Sequence, residues 1–222
     1  MDFQALEISF RLAIFTSLIL LPIGIVIGRF LAWSQRRWTP LLQSLIFLPL
    51  VLPPTVMGYY FLTAFSGQAP LGGLWELLFN RTLNFSFEGL LIASVIVNLP
   101  FSVQPIQYAF NSIDRDLRDA SLTCGLPFWK AFYKIELPLI WQGLAGAFVL
   151  TFAHTLGEFG VVLMVGGNLA GETRTLSIAI YDQVQAFNLE AAGQMSLVLL
   201  ALAFACLLAL QVLGQFRQKR HA

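Results

Sequence analysis

The chain has 222 residues, of which 57% are hydrophobic and 11% charged, with a formal net charge of +1. A soluble domain carries about 25% charged residues, so this composition excludes an ordinary water-soluble globule. The near-neutral balance also excludes the basic footprint of a nucleic-acid binder.

A bilayer core of about 30 Å is crossed by about 20 mostly apolar helical residues, because backbone N–H and C=O groups in hydrocarbon must pair within the segment. Five stretches meet that requirement: residues 9–33, 42–65, 87–110, 138–163 and 194–214. The expectation is an all-α integral membrane protein of about five transmembrane helices, with residues 1–222 forming a single transmembrane domain.

The first stretch follows Asp2 and Glu7, has Arg11 as its only nearby cation, and runs too long for the apolar region of a secretory signal. It reads as a retained helix. The second contains LPLVLPPTVMGYYFL (48–62), where Pro49, Pro53 and Pro54 each remove a backbone donor. Such breaks at membrane depth occur along transport paths and also as packing kinks. Thr55, directly after them, is a candidate pathway residue. Gly67, Pro70, Gly72 and Gly73 mark the outer connection 66–86 as a loop. In the third stretch Asn98, flanked by Pro100 and Pro105, would line a path or hydrogen-bond across helices, the second role being the more usual.

The polar stretch 111–138 carries the most information. Asp114 or Ser112 can cap a helix, and RDLRDASLTC continues it with Leu117, Ala120 and Cys124 along one side. Gly125 then supplies a position tolerant of positive φ, and Pro127 suits the first turn of a second helix. The pattern is a helix, an elbow and a helix leading into the fourth stretch. A short exposed helix with an apolar side fits a groove on a partner protein or lies on the membrane as a connector.

The fourth stretch opens on Gly143, Ala145, Gly146 and Ala147, which favour close helix approach. Further on, His154 and Glu158 are four residues apart and can pair on one helix face. Ionisable groups at that depth pair, face the interior or mark a path, and a plain inter-helix pin remains open as an alternative. In the outer connection 164–193, TLSIAIYDQVQAF (175–187) is too short to span and reads as a short outer helix or re-entrant piece. Trp33, Trp38, Trp75, Trp129 and Trp141 fall near span ends, as interfacial belts do.

The cations orient the bundle. Arg29, Arg36, Arg37, Arg115, Arg118, Lys130, Lys134, Arg217, Lys219 and Arg220 share one side, against Arg11, Arg81 and Arg174 on the other. By the positive-inside rule the N-terminus faces out and the C-terminus faces the cytoplasm. Cys124 and Cys206 lie far apart with no CxxC or Cys/His spacing, so neither reads as a disulfide partner or metal ligand.

DASLTCGLPFWKAFYKIELP (119–138) resembles the EAA loop of ABC importer permeases: Glu-Ala-Ala, three residues, Gly, nine residues, then Ile-x-Leu-Pro. Asp119, Ala120, Ser121, Gly125, Ile135, Leu137 and Pro138 stand at the matching spacings, with Asp119 in place of Glu and Ser121 in place of the second Ala. The resemblance implies a type I ABC importer permease fold in which this loop is a cytoplasmic coupling helix docked on an ATPase subunit. The 48–62 segment and LGEFGVVLMVGGNLAGETRTLSIAIY (156–181) are similar to the molybdate and tungstate permeases and, less closely, to the sulfate and thiosulfate ones. His154 departs from that pattern, where relatives often carry Arg. The family reading makes Thr55, Asn98, His154 and Glu158 pathway or gate candidates.

No GxxxxGK[ST] phosphate loop is present, so ATP would be bound by a separate subunit and this chain would hold no cofactor of its own. H-E-x-x-H, G-x-S-x-G and metal-ligand clusters are also absent from the sequence, which speaks against an enzyme. A secondary transporter would more often show paired repeats or midplane acidic residues, neither of which is evident. Five helices are too few to surround a path alone, and a cyclic dimer is the commonest closure. The expected assembly is two copies of this chain, two ATPase subunits and an extracytoplasmic solute-binding protein, in a bacterial or archaeal cell membrane.

Overall fold

The computed structural model describes residues 1–114, 116, 117, 123 and 125–218, with side chains described as far as residue 212. Helix α1 spans Phe3–Trp33, its first turn capped by Asp2, whose carboxylate accepts from the Ala5 N–H at 3.0 Å. Thr39–Phe47 forms α2, which tightens into a 3-10 turn at Leu48–Leu50. Pro54–Ala64 is α3, Pro70–Phe79 is α4, and Phe87–Asn111 is α5. After the elbow come α6 (Phe128–Ala131), a π-turn (Phe132–Glu136) and α7 (Leu137–Leu139). The remaining helices are α8 (Trp141–Gly157), α9 (Gly160–Gly166), α10 (Leu176–Gln185) and α11 (Leu189–Gln218).

Among the described residues three helices, α1, α5 and α11, are long and apolar enough to cross a membrane, and counting each of two bent pairs as one span brings the number to five. This matches the five stretches read from hydropathy, but two of them are not continuous. The second stretch is bent by 104° between Thr39–Leu50 and Pro54–Ala64. The cause is local: Pro54 holds Pro53 in an extended conformation at ψ 136°, which no helix can pass through. The fourth stretch bends by 66° between Phe128–Leu139 and Trp141–Gly157. It breaks again at Glu158, whose backbone is extended at ψ 130°, before α9 begins.

The connection 66–86 corrects the loop expected there. Pro70 starts α4 with a pre-set φ, the run LWELLF propagates it, and Asn80 closes it in the left-handed conformation at φ 54°. The glycines that suggested a loop instead let α4 fold back, since Gly72 is buried against the Phe65 and Ser66 carbonyls. The outer helix expected within 175–187 is α10.

Helices α1, α5 and α8 pack against one another as the centre of the molecule. Gly24 and Gly28 make the α1–α5 approach possible: a Cβ at Gly28 would lie 3.0 Å from the Gln107 amide nitrogen and 3.0 Å from Ile106 Cγ2. The Ser102 hydroxyl donates across this interface to the Leu20 carbonyl at 2.9 Å. Helix α9 lies against α3 and α5, around a core that includes Met57, Phe65, Leu90, Val97 and Val165. Helix α11 leans on α8 and α10 and leaves Leu197, Leu200, Phe204 and Leu207 exposed, an apolar face for lipid or another subunit.

Candidate functional site

Two places bring the sequence-predicted residues together. The first is the elbow before the fourth span. Gly125 has φ +71°, the left-handed region expected of it, and a Cβ there would meet nothing within 4 Å. Its requirement is therefore conformational rather than steric. Asp114 Oδ1 accepts from the Asp116 N–H at 3.0 Å, while Ser112 ends α5; most of the helix that either would cap lies outside the described residues. Pro127 sits one position earlier than expected, as the cap before Phe128. Asp119, Ala120 and Ser121 lie outside the described residues, as does Cys124, expected on the same helix side as Leu117 and Ala120.

Beyond Gly125, Ile135 and Leu137 are half-buried and Pro138 is exposed. Pro138 has no N–H to give to the preceding turn, and the helix before it widens to a π-turn in which the Leu137 N–H reaches back to the Phe132 carbonyl. The residue inside this matched segment that sequence reasoning missed is Glu136. It is 5% exposed, and Arg29 holds it with Nε to Oε2 at 2.7 Å and Nη2 to Oε1 at 2.9 Å. Arg29 had been read only as a cation marking the cytoplasmic side. A signal was available: an arginine inside one span end and a glutamate at another each need an opposite charge there.

The second place lies where α5, α8 and α9 meet. Asn98 is fully buried, and its amide nitrogen donates to the Ser94 carbonyl at 2.8 Å. That turns Oδ1 toward His154 Nδ1, 2.9 Å away. His154 therefore carries its proton on Nδ1 and leaves Nε2 as the unengaged ring nitrogen. The Phe101 ring stacks on the imidazole at 3.9 Å. Glu158 Oε2 is 3.7 Å from Nδ1, so the two expected partners are adjacent, farther apart than a hydrogen bond, and form an ion pair only when the imidazole is protonated. One correction applies, because α8 ends at Gly157 and the two residues do not share a continuous helix. The extended backbone at Glu158 is held from the side, its carbonyl accepting from the Ser177 hydroxyl at 2.6 Å.

Thr55 stands apart from this cluster and is exposed. Its neighbour Pro54 nonetheless packs on Gly160, whose would-be Cβ lies 2.8 Å from Pro54 Cβ. The break before α3 and the break before α9 thus face each other. Among the described residues no group of three or more His, Cys, Asp or Glu side chains is placed to hold a metal ion.

The fold and these two places have counterparts in known proteins. Residues 21–220 match the family described as binding-protein-dependent transport system inner membrane component. The chain belongs to that family. Its relatives include the molybdenum transport system permease protein ModB of Azotobacter vinelandii, 40% identical over 217 residues, covering 97% of this chain and 96% of that one. The ModB protein of Escherichia coli K12 is 34% identical over 224 residues, covering 99% and 96%. The sulfate transport system permease protein CysT of the same bacterium is 30% identical over 192 residues, covering 85% of this chain and 69% of that one. A bacterial ABC transporter importing alginate contains a chain of similar fold, with TM-score 0.75 and 16% identity over 98% of this chain and 79% of that one. A chain of the MetNI methionine ABC transporter, in an inward-facing conformation, gives TM-score 0.69 and 14% identity, covering 96% and 93%. The family's inner membrane components are helical, multi-pass permeases of the type I ABC importer fold, and this chain is one of them.

Proposed function

We propose that this chain is the permease subunit of an ATP-driven importer of molybdate. The observation that carries the reading is the similarity to a molybdenum permease over nearly the whole length of both chains. Sulfate permeases are more distant and share less of their own length, so sulfate or thiosulfate stands second as the cargo. On this reading residues 1–222 form one membrane domain with the N-terminus outside and the C-terminus in the cytoplasm. Two copies pair around a path, and a separate ATPase subunit docks on the 111–138 loop and binds all the nucleotide. A solute-binding protein delivers the anion from outside.

The geometry supports a coupling role for the elbow and a path beside the paired breaks. Gly125 in the left-handed conformation is the turn a docked helix needs in order to leave the loop at a fixed angle. Irregular backbone at membrane depth is stable only when buried in protein or facing a watery cavity. Val51, at the first break, is 82% exposed in the single chain, so this irregular backbone lies at an open surface where a second subunit or a cavity can cover it. His154 and Asn98 contribute weak polar groups near such a path, better suited than a cluster of arginines to passing a dianion without trapping it. The reading is tested by reconstituting the chain with its ATPase and binding protein in liposomes. ATP-dependent molybdate uptake, competed by tungstate, is expected. Uptake of sulfate without molybdate would replace the cargo, and uptake independent of ATP would overturn the importer.

A further inference from the structure

The Arg29 guanidinium is held by three side chains. It makes two hydrogen bonds to the Glu136 carboxylate, at 2.7 and 2.9 Å. Its Cζ lies 4.5 Å from the Trp33 ring centre and 4.6 Å from that of Phe128. The Glu136 side chain is 7% exposed and that of Arg29 24%, so the ion pair is shielded from water. A planar fork bonded to a carboxylate and packed on two rings cannot swing away without breaking a charge-assisted contact.

The partners come from different parts of the chain. Arg29 and Trp33 end α1, Phe128 opens α6, and Glu136 closes the π-turn. Trp33 also meets Phe110 of α5 edge to face at 5.1 Å. A π-turn is an irregular, deformable stretch of helix, and here its two ends, Phe128 before it and Glu136 at its close, are gripped by one side chain of another helix. Any swing of the segment that follows Gly125 must therefore carry α1, and through Trp33 also α5, or else break the pair.

We propose that Arg29 is a positioning residue for transport: with Glu136, Trp33 and Phe128 it forms the joint through which motion of the cytoplasmic loop reaches α1 and α5. The proposal rests on the importer reading above. It differs from a plain structural pin in what it requires of variants. A pin, once lost, lowers the amount of assembled complex; a joint, once lost, leaves hydrolysis running but disconnects it from the membrane helices.

The test uses the complete complex in liposomes, with molybdate and the binding protein supplied, and reads two quantities: ATP hydrolysed and anion taken up per ATP. Arg29→Gln is expected to keep basal hydrolysis while lowering the uptake ratio by about ten-fold, the loss that follows if breaking the charge-assisted pair costs the joint about 1.4 kcal/mol. Arg29→Lys, which keeps the charge but not the planar fork, should fall between that variant and the native chain. Arg29→Gln with the native ratio would overturn the proposal. Should Arg29→Gln not assemble, Glu136→Gln is read in the same way. If neither variant assembles, the pair is a pin and the proposal falls. Failure of the importer reading is distinguishable, because the native complex itself would then show no ATP-driven uptake.

Discussion

His154 Nδ1 donates to Asn98 Oδ1 across the α5–α8 interface at 2.9 Å, and the Asn98 amide is itself oriented by the Ser94 carbonyl. Removing the asparagine leaves the part-exposed His154 N–H without this acceptor. Asn98→Ala should therefore destabilise the purified protein by about 0.5–1.5 kcal/mol, read as a lower thermal midpoint in detergent. Combining it with His154→Phe should cost less than the sum of the two single changes, because the stranded donor disappears. Strict additivity would mean that the contact contributes little.

Gly125→Val should abolish ATP-driven uptake while the protein still inserts, since a β-branched residue is strained at φ +71°. Space is not the obstacle, as nothing lies within 4 Å of a Cβ at this position. Gly125→Asn, which tolerates the left-handed region, should then retain most of the uptake. Equal loss in both variants would show that some contact beyond the elbow's conformation matters.

How far the sequence disclosed this molecule depended on the range of the interaction involved. The apolar stretches, the elbow at Gly125 and the short outer helix rest on local composition and turn chemistry, and each was legible. Helix α4 was hidden because Gly72 and Gly73 signal a turn until one sees that Gly72 lies against the Phe65 and Ser66 carbonyls. Pro53 and Pro54 announced a disturbance, but proline signals alone do not separate a mild kink from a 104° bend. Arg29 and Glu136 are 107 residues apart, and no local pattern joins them. The acidic and small residues at 119–121, the part of the loop most specific in sequence, lie outside the described residues.

Gly28→Leu should weaken the α1–α5 interface. The added side chain begins 3.0 Å from the Gln107 backbone nitrogen and from Ile106, neither of which can retreat far inside packed helices. Overpacking of this kind costs about 1–3 kcal/mol, to be read as a lower thermal midpoint and a smaller yield of folded protein. Gly157→Leu is the control, because nothing lies within 4 Å of a Cβ there. If both variants behaved alike, close approach at Gly28 would not be what limits the packing.

Topology follows from the cations. Reporter fusions at residues 38 and 125 should both be cytoplasmic and one at residue 80 outside, because Arg36, Arg37, Lys130 and Lys134 flank the first two positions. A reporter at 125 active only outside would remove both the orientation and the docking role of the loop.

Single cysteines at Thr55, Asn98 and His154, in a background lacking Cys124 and Cys206, should separate path from packing. Thr55 is exposed beside the break before α3, so Thr55→Cys should react readily with a small charged thiol reagent. The His154 side chain is 37% exposed in the single chain, and His154→Cys should react more slowly. Asn98 is fully buried between helices, so Asn98→Cys should stay unlabelled unless α5 and α8 separate. If a transport path runs past these helices, trapping the complex with a non-hydrolysable nucleotide should change the rates at 55 and 154 relative to the nucleotide-free state. Unchanged rates at both would mean that the two positions face a static surface, and the gate would then have to be sought elsewhere along the paired breaks. Labelling at 98 in one state alone would instead place the opening between α5 and α8, with the Asn98–His154 contact as the bond that breaks when it opens.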